Sequence, residues 1–297
     1  MAQAHPSPDN NKYYVPHTSP WPIFGSVALF VLMAGAALTL EGGDGGASVL
    51  TAGLVMLLAL FFGWFRAVIA ENQAGVYNMD VDRSFRLGMS WFIFSEVMFF
   101  AAFFGALFYA RQLSVPWLSG GGYRHLTKEI LWSHFEGAWP SNGPAALGPR
   151  ASGTFETIPA LGVPAINTLI LLTSGVTVTI AHHALRANKR AILKVFLAAT
   201  FLLGFLFVFL QAREYHEAYN ELGLQLGTGI YGSTFFMLTG FHGLHVTIGA
   251  IMLLVIWLRV VRGHFTPARH FAFEGIAWYW HFVDVVWLGL YLFVYWL

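Results

Sequence analysis

Seven apolar runs divide this chain of 297 residues, and each run is long enough to cross a bilayer as a helix. A transmembrane helix needs about 20 apolar residues to cross roughly 30 Å of hydrocarbon. Barrel strands would instead alternate apolar and polar residues over about ten positions, whereas these runs are apolar on every face. Only 10% of the residues are charged, against about 25% in soluble domains. The sequence therefore predicts an all-α membrane protein with spans at Trp21–Leu40, Ala47–Ala70, Arg86–Arg111, Val163–Leu185, Val195–Arg213, Ile230–Leu258 and Phe271–Trp296.

The connections between these runs define the organisation of the chain. A polar N-terminal tail, 1–20, lacks the basic start and short apolar core of a signal peptide. A glycine-rich turn joins the first two spans, within 21–70, into an antiparallel hairpin. A polar inner loop, 71–85, separates this hairpin from five further spans within 86–297. The long outer loop 112–162 belongs to a length class that is usually functional or disordered.

The distribution of basic residues predicts the orientation. Eleven Lys and Arg residues fall in segments on the side of the N-terminus and five on the opposite side. Cytoplasmic segments carry the excess of Lys and Arg in membrane proteins, so we expect the N-terminus inside and the C-terminus outside. The net charge of +1 gives no argument for a nucleic-acid partner. The chain has no cysteine, which excludes disulfides and thiolate metal sites.

Glu96 lies inside the third span, roughly 14 Å from its inner end at about 1.5 Å per residue. Its helical neighbours three and four positions away are Phe92, Ile93, Phe99 and Phe100. An ionisable residue in such apolar surroundings is a functional candidate by default. Two interpretations stay open. Glu96 is either a neutral carboxylic acid that donates a hydrogen bond to a carbonyl oxygen, or part of a proton relay.

Four polar residues lie near the middle of the last two spans. His242 and His245 are three apart in the sixth span, and His281 and Asp284 have the same spacing in the seventh. The two pairs lie at comparable depth in helices that run antiparallel, so they could meet. Three imidazoles and a carboxylate suit zinc or non-haem iron, and one His from each helix could ligate a haem. A buried hydrogen-bond network is favoured over these, because polar residues commonly link membrane helices.

Further polar residues lie at the ends of spans. Arg66, Arg86 and Arg259 lie at inner ends, with Trp64 near the first of them. In one interpretation the arginines bind phospholipid head groups, because guanidinium binds phosphate in bidentate fashion. In the other they only reflect the usual excess of basic residues on the inner side. Three histidines also lie at ends of spans. The adjacent His182 and His183 are expected to anchor the fourth span at the interface. His216 is expected in a solvated cap among the exposed charges of segment 213–217.

Several motifs occur in the order and spans that they occupy in subunit III of the haem-copper cytochrome c oxidases, which the chain resembles over nearly its whole length. The most specific are TGFHGLHV at 239–246 and WYWHFVDVVW at 278–287. The others are SPWP at 19–22, SEVMFF at 95–100, AHH at 181–183, EY and EA at 214–218, and YGSTFF at 231–236. The chain departs from the family at Arg66-Ala67-Val68, where Arg-Asp-Val is usual, and around Tyr77-Asn78-Met79, where a His-Thr-Pro element is common. The outer loop is longer than in mitochondrial members, which suggests a bacterial protein.

The resemblance implies a two-helix group and a five-helix group that form a V-shaped, lipid-filled cleft. It implies phospholipids bound in this cleft, for which the candidates are Trp64, Arg66, Arg86, Glu96 and Arg259. It also implies no catalytic residue, no haem, no copper and no other metal ligand in this chain, which leaves Glu96, His242, His245, His281 and Asp284 as intramembrane polar residues related to proton handling.

The implied role is that of an accessory subunit in an aa-type oxidase that reduces oxygen and pumps protons. Subunit I, with haems and copper, is the expected main partner, and subunit II carries the cytochrome c docking site. The chain would stabilise subunit I and sustain proton uptake, in the plasma membrane of a bacterium. One alternative is subunit III of a quinol oxidase, although that subunit usually has five spans. The others are a membrane metalloenzyme that uses the mid-span histidines and an independent proton channel through Glu96 and Asp284.

Overall fold

The computed structural model describes residues 13–16, 18–122, 125–146, 148 and 154–296, and this part of the chain is helical with no strand. Most of the predicted tail, 1–12 and 17, lies outside the described residues. π-Helical turns at Ala110–Ser114 and Tyr291–Trp296 continue helices α3 and α9. The α-helices are α1 Trp21–Leu40, α2 Gly46–Gln73, α3 Met79–Tyr109, α4 Val115–Leu118, α5 His125–Leu131, α6 Val163–Arg186, α7 Arg190–Asn220, α8 Gly229–Val261 and α9 Phe271–Leu290.

Seven helical segments within the described residues are long and apolar enough to cross a membrane. They contain α1, α2, α3 with α4, α6, α7, α8, and α9 with its π-helical turn. The prediction of an all-helical protein with seven membrane spans is therefore confirmed.

The helices next to the predicted inner loop extend further than the apolar pattern indicates. Where 71–85 is expected as a loop, only 74–78 is non-helical. The start of α3 is stabilised by side chains, because the Val81 amide donates to Asn78 Oδ1 at 3.0 Å and Arg86 Nε donates to Asp82 at 2.9 Å. Acidic residues in the first turn also favour the positive end of the helix dipole. Polar residues thus prolong this helix beyond its apolar part.

The short connection 74–78 makes a partly buried hydrogen bond to α2. The Tyr77 hydroxyl donates to Glu71 Oε2 at 2.6 Å. Burial and the Glu71 carboxylate together raise the pKa of Tyr77 above its ordinary value, so the hydroxyl stays protonated and keeps this hydrogen bond at neutral pH.

The predicted outer loop 112–162 is also partly helical. The third spanning segment continues through α4 to Leu118, and α5 forms within the loop at His125–Leu131. Beyond α5, the described residues of this loop up to 162 contain no further α-helix.

The chain divides into two compact units, 1–87 and 88–297. In the first unit, α1 and α2 form a hairpin in which glycines allow the two backbones to approach closely. A Cβ atom at Gly35 would overlap the backbone of Leu50, and one at Gly53 would overlap the backbone of Leu32. Small residues at such contacts let membrane helices associate through dispersion.

The second unit is built around Trp280 of α9, which is fully buried. Its indole Nε1 donates to Ser174 Oγ of α6 at 2.9 Å. Added Cβ atoms would lie 2.6 Å from the indole at Gly204 of α7 and 2.8 Å from it at Gly249 of α8. Trp280 thus contacts three other helices, and it fixes the part of α9 that carries His281 and Asp284.

Candidate functional site

Glu96 of α3 and His245 of α8 form a partly buried polar pair. His245 Nε2 lies 2.9 Å from Glu96 Oε2, and the two side chains are 13% and 20% exposed. His245 Nδ1 lies 2.6 Å from the carbonyl oxygen of Phe241. Because a carbonyl oxygen only accepts, Nδ1 is the protonated donor in this contact. A single proton then bridges Nε2 and the carboxyl group, as a neutral acid with an imidazole or as a carboxylate with an imidazolium.

Aromatic residues surround this pair. The His245 ring lies 5.1 Å from the Phe100 ring, 6.0 Å from the Phe99 ring and 6.3 Å from the Tyr279 ring. The Tyr279 hydroxyl also donates to the His245 carbonyl oxygen at 3.1 Å. Glu96 therefore bonds an imidazole that neighbouring rings contact, and not the carbonyl oxygen that one of the two open interpretations gave it.

His242 lies one turn away on α8 and has a different partner. It is fully buried, and its Nε2 donates to the Val283 carbonyl oxygen of α9 at 3.2 Å. The ring packs 5.1 Å from Trp287 and 5.6 Å from Phe207. Its Nδ1 has no hydrogen-bond partner among the described residues. His242 thus links α8 to α9 within the core.

His281 and Asp284 form a second pair, on α9. His281 Nδ1 lies 3.6 Å from Asp284 Oδ2, and His281 Nε2 lies 3.2 Å from the Thr179 hydroxyl of α6. Gly175 makes room for the carboxylate, because a Cβ there would lie 2.6 Å from Asp284 Oδ2. The His281 side chain is 46% exposed, whereas that of Asp284 is 9% exposed. This pair therefore reaches the surface of the second unit.

Within the described residues, the four mid-span residues do not meet at ligand distances, which argues against the alternative in which they share a metal ion. His242 turns to the backbone of α9 and His245 turns to α3, because neighbours three apart on a helix still differ by about 60° in direction. Within the described part of the chain, one group of three His or acidic residues meets at ligand distances, and it consists of His182, His270 and Glu274.

His182 contacts residues of another helix, which the expected role as an interfacial anchor did not foresee. Its ring lies 5.4 Å from the His270 ring and 5.5 Å from the Phe273 ring. His183 is exposed, as the rotation between adjacent residues predicts. Sequence reasoning missed His270 and Glu274, whose spacing of four at the start of the last span was the available signal.

The candidate lipid residues lie in both units. In the first unit, Trp64 is 42% exposed, Arg66 is exposed, and Arg86 is paired with Asp82 on its own helix. In the second unit, Arg259 is 7% exposed and its guanidinium lies 4.5 Å from the centre of the Phe265 ring. Arg259 is therefore held against its own chain, while Arg66 is accessible.

Glu214 is buried, which corrects its expected position among exposed charges. It is 2% exposed and accepts a hydrogen bond of 2.6 Å from the Tyr295 hydroxyl. Gln211, three residues earlier, is also buried and donates to the Thr239 carbonyl oxygen at 3.1 Å. The spacing of three places both on one face of α7, and this was the signal for burial. His216 is exposed, as expected of a solvated cap.

Comparisons with known proteins agree with the motifs. The family described as cytochrome c oxidase subunit III matches residues 11–121 and 126–297. Cytochrome c oxidase subunit 3 of Tetraodon nigroviridis is 42% identical over 285 residues, which cover 96% of each chain. The Carassius auratus protein of the same name is 41% identical over 285 residues, again 96% of each chain. The Coturnix japonica protein is 40% identical over 287 residues, covering 96% of this chain and 97% of that one.

Proposed function

Because the chain belongs to the cytochrome c oxidase subunit III family, we propose that it is an accessory subunit with no redox centre of its own. Membership implies a complex with other subunits, and that complex is an oxidoreductase. The finer proposal is that this chain stabilises its neighbours and supports proton uptake in an aa-type oxidase, while oxygen is reduced elsewhere in the complex.

The observation that carries this proposal is the pairing of the mid-membrane polar residues. Glu96 pairs with His245, and His242 donates to the α9 backbone. A metal shared by these residues, or a haem ligated by one His from each helix, would need the imidazoles to converge on one point, and they point to different helices instead. The pairing supports roles in linking helices and holding protons.

The Glu96–His245 pair supports the proposed part in proton uptake. It holds one proton between a carboxyl group, which is anionic without that proton, and an imidazole, which is cationic with it. The two groups lie in two different spanning segments. Such intramembrane pairs commonly belong to proton relays. His281 and Asp284 add a second pair that reaches the surface, where a neighbouring subunit could contact it.

We propose subunit I as the main partner and subunit II as a further one. The exposed side of α9 and of its π-helical turn supports such a contact, because the described residues Val285, Leu288 and Leu292 are 41–67% exposed and apolar. In a membrane this face meets either lipid or another apolar helix.

We further propose bound phospholipids, with Trp64, Arg66, Arg86, Glu96 and Arg259 as the candidate contacts. The exposed Arg66 suits a phosphate group, which guanidinium binds in bidentate fashion. Arg259 has a buried Nε without a hydrogen-bond partner among the described residues. A phosphate group that reached this guanidinium would neutralise part of its charge.

The proposed location is the plasma membrane of a bacterium, with the N-terminus in the cytoplasm and the C-terminus in the periplasm. The excess of basic residues on the N-terminal side supports the orientation. The length of the outer connection 112–162 supports the bacterial assignment.

Removing the chain from the purified complex and restoring it tests the proposed role. We expect the stripped complex to keep its haem spectrum and its initial oxygen reduction, while its proton uptake slows and its activity is lost sooner during turnover. Adding the chain back should restore both properties. Unchanged proton uptake and unchanged durability in the stripped complex would contradict the proposal.

Glu96→Gln tests whether the carboxyl group is directly required. The amide is nearly isosteric and can still bond His245, so we expect assembly and oxygen reduction to stay largely intact. The measurement is oxygen consumption by the purified variant complex, with Glu214→Gln as a control at a buried carboxyl group in another helix. Loss of all turnover in Glu96→Gln alone would show that the carboxylate takes part in the reaction.

A further inference from the structure

Three buried polar side chains carry hydrogen-bonding atoms that the contacts described above leave unused. Asn167 of α6, Gln211 of α7 and His242 of α8 are 0–5% exposed. The unused atoms are Nδ2 and Oδ1 of Asn167, Oε1 of Gln211 and Nδ1 of His242, which are buried and have no hydrogen-bond partner among the described residues. We propose that these three side chains, the buried polar layer, bind a water molecule that joins α6, α7 and α8.

Asn167 and Gln211 lie at the same level of the helix bundle. Helices α6 and α7 follow one another along the chain and run antiparallel, and the Thr177 and Thr200 hydroxyl groups lie 2.9 Å apart between them. Asn167 is ten residues before Thr177, and Gln211 is eleven residues after Thr200. These two positions are therefore level to within one residue's rise, about 1.5 Å. Both side chains are buried, so both point into the bundle.

His242 lies at this level too, next to Gln211. A Cβ atom added at Gly243, the residue after His242, would lie 3.3 Å from Gln211 Oε1. The ring of Phe207, one turn before Gln211 on α7, lies 5.6 Å from the His242 ring. The absence of a side chain at Gly243 thus leaves room beside the unused carbonyl group of Gln211.

Trp287 of α9 links His242 to the part of α6 that carries Asn167. Its ring lies 5.1 Å from the His242 ring and 4.7 Å from the Phe207 ring. Its indole Nε1 donates to the hydroxyl of Thr168, the neighbour of Asn167, at 2.9 Å. All three members of the buried polar layer therefore lie around one level of the bundle, which Trp287 and Phe207 close with aromatic rings.

The unused atoms suit one water molecule. Gln211 Nε2 donates to the Thr239 carbonyl oxygen, so Gln211 Oε1 is the acceptor of that amide. His242 Nε2 carries the ring proton, because it faces the Val283 carbonyl oxygen, and this leaves Nδ1 as an acceptor in the neutral ring. The Asn167 amide supplies a donor. A water molecule can donate to both acceptors and accept from Asn167, which makes the three hydrogen bonds typical of buried water.

Two other ways of satisfying these atoms fit less well. The Tyr215 hydroxyl also approaches Gln211, but its proton is already used. Thr239 Oγ1 donates to the Phe235 carbonyl oxygen at 2.7 Å and so accepts from the Tyr215 hydroxyl at 2.7 Å. A cation lacks a charged partner, because the amides and the imidazole are neutral and buried charges are normally paired. Since unsatisfied buried polar atoms cost free energy and are rare in native proteins, a neutral ligand that both donates and accepts fits best.

An electron-microscopy map of the purified complex, at a resolution that shows ordered water, tests this inference. We expect a density peak about 2.7–3.2 Å from the Asn167 amide, Gln211 Oε1 and His242 Nδ1. Asn167→Leu should remove the peak, because it deletes one of the three bonds and fills the space with apolar atoms. Thr200→Val is the matched control, because it deletes a buried hydroxyl of α7 that already bonds Thr177, and it should leave the peak unchanged.

A wild-type map in which the Asn167 amide bonds Gln211 or His242 directly, with no peak between them, would overturn the inference. A peak about 2.3–2.6 Å from these atoms would indicate a metal ion instead and would overturn it as well. A peak of unchanged strength in Asn167→Leu would remove Asn167 from the site. If that variant fails to assemble, the distances in the wild-type map decide. This test does not depend on the proposed function, because it measures neither oxygen reduction nor proton uptake.

Discussion

A double-mutant cycle on Glu96 and His245 tests the central contact between α3 and α8. Glu96→Met removes the carboxyl group at similar length, and His245→Phe removes the ring nitrogens while keeping a ring among its aromatic neighbours. The contact at 2.9 Å joins two mostly buried side chains, so the two changes should not be additive in their effect on the free energy of unfolding.

The size of this coupling follows from the kind of bond. Hydrogen bonds between membrane helices contribute about 0.6 kcal/mol on average and up to about 1.7 kcal/mol. Bonds to a charged group contribute about 1.5–3 kcal/mol. We expect about 1 kcal/mol, because the bridging proton allows both groups to be neutral together. A value near 3 kcal/mol would instead indicate a carboxylate with an imidazolium.

The assay is reversible unfolding of the full-length chain in mixed micelles, followed by helicity. The control cycle combines Glu96→Met with His281→Phe, which lies in the other polar pair and should be additive within about 0.3–0.5 kcal/mol. A coupling between Glu96 and His245 no larger than in this control would refute the contact.

Three further predictions concern packing and lipid. Ser174→Ala removes the acceptor of the buried Trp280 indole and should lower the free energy of unfolding by about 1–3 kcal/mol; no change would contradict the role of this bond. Gly249→Ala places a Cβ 2.8 Å from that indole and should cost about 1–3 kcal/mol, whereas Gly105→Ala, with open space around its Cβ, is the control and should cost less. Arg259→Ala should reduce the phospholipid retained by the purified complex, and an unchanged phosphorus content would exclude Arg259 as a lipid contact.

Length and apolar composition were sufficient to predict the membrane spans, because few other structures satisfy the backbone in hydrocarbon. They were not sufficient for the helix ends. Segment 71–85 is polar, and its helical part depends on local side-chain bonds such as Asn78 with Val81 and Asp82 with Arg86. Hydropathy does not register such bonds, which is why the predicted loop is longer than the observed one.

The partners of the polar residues could not be predicted from spacing alone. Spacing placed His242 and His245 on neighbouring parts of α8, but which helix each one meets depends on how α3, α8 and α9 are rotated in the bundle. His245 meets a residue 149 positions away. His182 likewise meets His270 across the bundle, and only the packed structure brings them together.

The most direct test of the account is the redox spectrum of this chain before and after separation from its partners. The reduced-minus-oxidised spectrum and the metal content are recorded for the gently solubilised complex and again for the isolated chain. We expect haem and copper to stay with the larger subunits and the isolated chain to show no redox signal. Haem or redox-active metal remaining on the isolated chain in stoichiometric amount would contradict it.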